Sequence, residues 1–121
     1  MALFTFDKVI NTGQFTLPDN QEFQLSLGIT TLVNWTSDRS LTFVGLLNAA
    51  AIGNIDGLVV LFSNLNNNSN TLSFANESGA ASAATNRFRL ASGVTTGGTG
   101  AGGVMFRYHG TLQRWLHLAT T

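Results

Sequence analysis

Cysteine is absent from this 121-residue chain and proline occurs once. Charged side chains make up 10% of it, against roughly 25% in an average soluble domain. Each shortage removes a class of function. Without cysteine there is no disulfide framework, no thiolate zinc site and no thiol nucleophile, and the composition suits assembly in a reducing cytoplasm. Six basic and six acidic residues cancel, so the chain lacks the overall charge that binding to nucleic acid or an anionic membrane calls for. Long apolar runs are missing too. The longest, residues 57–62, is far below the roughly 20 residues that span a bilayer. The start, residues 1–8, has no basic leader followed by a long apolar core, so no secretory signal is expected.

What is present is an ordinary apolar share, 44%, enough for one core, and a single domain over residues 1–121 is expected. Polarity comes from Asn, Ser and Thr in place of charge. A weakly charged, net-neutral surface gives little repulsion against association. Partner subunits are therefore expected to cover much of it, with residues 1–8, Phe4 and Phe6 among them, as an N-terminal arm.

Period-two alternation dominates the first half: Phe4 and Phe6, Phe15 and Leu17, then Phe23, Leu25 and Leu27. Turn residues 11–13 and 18–20 stand between them. Residues 31–35 and 41–46 flank 36–39, which reads as a hairpin connection. Residues 48–53 have room for one helical turn. Residues 58–62, with Leu58, Val60 and Phe62, are apolar at both parities and predict a strand covered on both faces, by a second layer or by a neighbouring subunit. Residues 64–70 contain five Asn and read as a turn into a strand over 71–74. Residues 75–84 carry no apolar stripe of helical period and read as a loop, followed by a strand over 86–90. Residues 93–103, with six glycines, read as a flexible loop, and 104–118 as a terminal hairpin broken at 109–111. Turns every 8 to 12 residues and no dependable helix predict an all-β fold: an antiparallel, jelly-roll-like β-sandwich of about eight or nine short strands.

Chemistry-bearing motifs are few. His109 and His117 are the only side chains suited to act as a base at neutral pH, and neither stands in a nucleophile motif, so a structural role is favoured for both. No His-x-x-x-His or Asp-rich calcium loop is present, and no metal or cofactor is expected. The carboxylates Asp7, Asp19, Glu22, Asp38, Asp56 and Glu77 are isolated in sequence and read as turn residues or ion-pair partners. The glycine run lacks the Gly-Lys-Ser/Thr ending of a phosphate loop. Sequons at Asn34, Asn67 and Asn76 are expected to stay unmodified. Two groupings remain. Glu77 stands a loop's length before Arg87 and Arg89, where a carboxylate–guanidinium bond would tie the connection together. Arg107-Tyr108 and Arg114-Trp115 face each other across the terminal hairpin, where guanidinium-on-ring stacking is natural. Such a patch serves structure or an interface more often than sugar binding.

Residues 72–78 (Leu-Ser-Phe-Ala-Asn-Glu-Ser), 83–88 (Ala-Ala-Thr-Asn-Arg-Phe), 104–108 (Val-Met-Phe-Arg-Tyr) and 113–115 (Gln-Arg-Trp) resemble the trimeric β-sandwich module of bacteriophage virion surface proteins. The resemblance spans residues 58–115. Members usually carry a proline-glycine-aspartate turn before the final hairpin, where this chain has residues 95–103. The resemblance implies a structural role without catalysis, as a homotrimer. The short chain favours a cement or decoration protein bound to the major capsid protein on the head surface. A tail-fibre, spike or lectin-like tip, binding host-surface glycan, is the alternative.

Overall fold

The computed structural model describes residues 6–11, 21–23, 29–37, 39–46, 57–66, 70–81, 83–90, 94–96 and 102–120. Among them are ten strands and one short 3₁₀ turn. A six-stranded sheet has the order β1 (Lys8–Asn11), β3 (Thr30–Trp35), β5 (Val59–Asn64), β9 (Gly103–His109), β10 (Arg114–Thr120) and β7 (Phe88–Arg89). A four-stranded sheet has the order β2 (Gln21–Phe23), β4 (Leu41–Leu46), β6 (Leu72–Phe74) and β8 (Val94–Thr96). The fold is all-β, as the alternation indicated.

Strand direction is where the expectation fails. β1, β3 and β5 run parallel in one sheet while β2, β4 and β6 run parallel in the other. The chain therefore alternates between sheets, each round trip laying a new rung beside the last. β7 also runs parallel to β10. Among the described residues, antiparallel pairing is found at β5–β9, β9–β10 and β6–β8. This mixed winding departs from the expected antiparallel jelly roll. A period of two reports which face a side chain takes, and that is the same for both directions of pairing.

The connection at 36–39 is likewise a corner between sheets and not a hairpin, since β3 and β4 never pair. The possible helical turn at 48–53 and the segments holding Phe4, Phe15 and Leu17 lie outside the described residues. β1 and β8 are strands that alternation did not reveal, one ending in a turn-like Asn11 and the other inside the glycine run. The strand expected over 86–90 is only two residues long, and the terminal hairpin forms as expected.

Rings join the two sheets. Trp35 on β3 meets Phe43 on β4 edge to face at 5.1 Å, and Phe74 on β6 meets Phe106 on β9 at 4.8 Å. Phe62 on β5 packs 5.2 Å from Phe74. Burial of several aromatics in one cluster is the main stabilising term, each contributing a few kcal/mol, roughly 1.5–3 for a Phe. The candidate interface residues Leu58, Val60 and Phe62 lie in this core. Their inward face is covered by the chain's own second sheet, while Val59 and Leu61 on the other face are half-buried.

Candidate functional site

Residues 75–89 carry the chain from the smaller sheet to the larger one, and their polar groups fasten that crossing. Asn76 bridges Phe88, and its Oδ1 accepts the Leu90 N–H at 2.6 Å. Glu77 takes a left-handed backbone (φ 48°) while its N–H donates to the Phe88 carbonyl at 2.8 Å. Its carboxylate then receives two arginines. Oε2 accepts Nε and Nη2 of Arg89, each at 3.2 Å, and Oε1 accepts Nε of Arg114 at 2.7 Å. The bond to Arg114 foremost, with that to Arg89, holds the Glu77 carboxyl below the usual carboxylate range against the opposing effect of partial burial.

The expected tie between Glu77 and the end of its loop is therefore present at Arg89. Arg114, 37 residues away, is a partner that chain spacing does not indicate, because only the hairpin's return past β7 brings it there. Arg87 contributes differently. Its carbonyl accepts the Trp115 N–H at 3.0 Å.

The terminal hairpin corrects a second expectation. Trp115 lies opposite Tyr108, and Arg107 opposite Leu116. The two rings, both buried, pack edge to face at 5.1 Å inside the protein. Alternation turns Arg107 and Arg114 to the other side, so rings and guanidinium groups do not form one exposed patch. Tyr108 Oη donates to the Thr85 carbonyl at 3.1 Å and Trp115 Nε1 to the Leu46 carbonyl at 3.3 Å. Burial raises the Tyr108 phenol above its ordinary value. Both bonds anchor the 75–89 crossing and the hairpin to the core.

Two further fastenings have no motif in the sequence. At the corner between β3 and β4, buried Ser37 donates its N–H to Asn66 Oδ1 at 2.9 Å. Asn66 Nδ2 donates to Asn64 Oδ1 at 2.9 Å, and Asn70 Nδ2 to the Ser37 carbonyl at 3.2 Å. Asn64, Asn66 and Asn70 of that run thus supply hydrogen bonds that a buried corner needs. Its only sequence signal was its own composition. At the first rung, Asp7 Oδ1 accepts the Thr30 N–H at 2.8 Å and Oδ2 the Ile29 N–H at 3.2 Å. The Thr30 N–H bond foremost lowers the Asp7 carboxyl below its ordinary value. Asp7 and Lys8 are thereby paired to the second rung, so the part of the expected 1–8 arm that the structure describes is held in the sheet. Phe6 is half-buried, and Phe4 lies outside the described residues.

His109 Nδ1 accepts the Leu112 N–H at 3.1 Å and so shapes the hairpin turn. The exposed His117 packs at the edge of Phe106, with centroids 6.1 Å apart. Among the described residues no three His, Cys, Asp or Glu side chains gather to hold a metal ion, and no helix is long and apolar enough to cross a membrane. Compared with protein-family models and with curated proteins, the chain matches none.

Proposed function

We propose that this chain is a structural subunit of a bacteriophage particle, a cement or decoration protein that sits on the head surface as a homotrimer, holds the major capsid protein and performs no catalysis. One observation carries the reading: the polar residues best placed for chemistry are spent on the framework. Glu77 commits both oxygens to Arg89 and Arg114. Asp7 commits both to the second rung. The amides of Asn64 and Asn66 close a buried corner. Side chains engaged in this way stiffen a β crossing and are held in place for structure. A stiff module with few charges suits multivalent attachment, in which each copy adds a weak contact and many copies together resist pressure on a shell. The resemblance of residues 58–115 to phage virion modules supplies the setting, a shell assembled in the host cytoplasm.

Quantitative mass spectrometry of purified particles carrying the chain tests the proposal. Hundreds of copies per particle are expected, with a trimer mass by light scattering for the isolated protein. A handful of copies per particle would overturn the head-surface role.

A tail-fibre or spike position is the second reading, and a specific feature favours it. Parallel rungs laid edge to edge, as in β1–β3–β5, are a geometry that extends along one axis by adding further rungs. A few copies per particle, together with glycan-array binding by the isolated protein, would select it.

A further inference from the structure

The terminal hairpin turns through residues 110–113, between β9 and β10, and it is held from both sides. His109, the last residue of β9, accepts two bonds from the turn. Its carbonyl takes the Gln113 N–H at 2.7 Å, and its ring Nδ1 takes the Leu112 N–H at 3.1 Å. Arg114, the first residue of β10, is in register with His109 and holds the other side. Its Nη1 donates to the Gln113 carbonyl at 3.0 Å while its Nε is bound to Glu77 at 2.7 Å. Between the two, Gln113 takes a left-handed backbone (φ 54°), which a residue other than glycine keeps where its surroundings hold it.

The ring bond fixes a protonation state. A backbone N–H only donates, so Nδ1 presents its lone pair to Leu112 and the neutral ring carries its proton on Nε2. A proton arriving at Nδ1 would occupy that lone pair and turn a second N–H toward the first. It would also set a new cation beside Arg114. Among the described residues, the elements packed on β9 bring His109 no new acceptor side chain. β5 and β8 carry no charged or titratable residue. β9 itself has Arg107 two residues back on the same face, and β10 has Arg114 and His117, the latter in register with Phe106. Glu77 has its two oxygens on Arg89 and Arg114.

We infer that the hairpin tip is a pH-sensitive latch, closed while His109 is neutral and loosened in mild acid, when the protonated ring releases the Leu112 amide. The geometry gives the sign. The bond needs the neutral ring, so its contribution is complete in mild alkali and is lost as pH falls through the interval, about 8 to 5, in which imidazoles take up a proton. Arg114 keeps its hold over that interval, because the Glu77 carboxyl titrates below 4.5. The tip therefore loosens ahead of the 75–89 crossing. Thr111, Leu112 and Gln113 are all exposed, so the loosening breaks no core packing and stays local. The latch rests on the turn alone and stands apart from the virion reading.

Amide hydrogen exchange followed by NMR on the full chain, expressed as protection factors between pH 8 and pH 5, tests it. The Leu112 amide is expected to lose about threefold to tenfold in protection over that span, the factor that one hydrogen bond carries. The loss should follow the titration curve of the His109 ring signals, while the Trp115 amide keeps its protection. His109→Asn supplies a side-chain acceptor that does not titrate, and His109→Ala supplies none. Both variants should show no pH dependence at Leu112, with high protection in the first and low protection in the second. His117 is present in all three proteins and cannot produce the difference. Leu112 protection that is constant with pH in the parent chain would overturn the latch, as would a fall that persists in either variant. A fall shared by Trp115 would show the whole hairpin opening and would overturn it as well.

Discussion

Glu77 is the residue on which the 75–89 crossing depends, because its two oxygens join a loop, a two-residue strand and the terminal hairpin. Glu77→Gln keeps the shape and removes the charge, and it is expected to lower the unfolding free energy by about 1–3 kcal/mol at neutral pH. The pH dependence has a definite sign. The folded carboxyl titrates below its ordinary 4.5, so its contribution is complete above that value and is lost as pH falls through the depressed one. Urea midpoints of the two proteins should therefore converge in acid. A constant gap across the range would show that shape, and not charge, sets the effect. Tyr108 runs the opposite way. Burial raises its phenol above 10.0, so the stability it lends is complete below that pH and is lost as pH rises through the raised value. Tyr108 is the chain's only tyrosine, and phenolate absorbance should appear only above pH 10, together with loss of structure. Gly45 marks a close approach: a Cβ there would stand 2.6 Å from the Asn86 carbonyl oxygen. Gly45→Ala should cost about 1–3 kcal/mol by pushing the 3₁₀ turn Ala84–Asn86 off β4, read as a drop in thermal midpoint.

At the scale of elements, the corners and the edge carry the specificity. The β3–β4 corner buries Ser37, Asn64 and Asn66, and each finds partners within the corner. Asn66→Ala would leave the Ser37 N–H without its acceptor, at a cost of about 1–3 kcal/mol, whereas Asn→Ala at the exposed Asn76 should cost less despite its own bond to Leu90. Comparing the two by denaturant titration separates burial from hydrogen-bond count. The edge strand β1 is guarded in another way. Lys8 lies in register with the buried Thr31 and shares its face with Ile10, which packs against the core. An inward-side charge on an edge strand discourages pairing with a further strand. Lys8→Val is expected to raise aggregation, measured by light scattering at fixed concentration, without lowering stability.

For the whole molecule, the winding governs how folding proceeds. Neighbouring rungs join residues far apart in the chain: 23 residues between Asn11 and Asn34, 31 between Ser40 and Thr71. Nearly all the ring contacts of the core join strands of different rungs or sheets, so little of it forms locally. Folding on the millisecond-to-second scale typical of non-local β topologies is expected in stopped-flow measurements, and a microsecond phase accounting for the full amplitude would contradict the described topology. The same winding separates roles along the six-stranded sheet, with the β1 end guarded by Lys8 and the β7–β10 end bearing the arginines.

The sequence alone indicated that the fold is all-β, that β5 lies at the centre, that 104–118 forms a hairpin and that Glu77 has Arg87 and Arg89 as candidate partners, of which the structure selects Arg89. Alternation, turn residues and short spacing are local signals, and each of these features is local. Tertiary structure alone decided strand direction, the corner at 36–39 and the reach of Arg114 to Glu77. Those depend on which strands become neighbours, and period-two patterning is silent about neighbours 20 or more residues away. The physical reason is that a side chain's face is set by its own backbone, whereas its partner is set by how the whole chain winds.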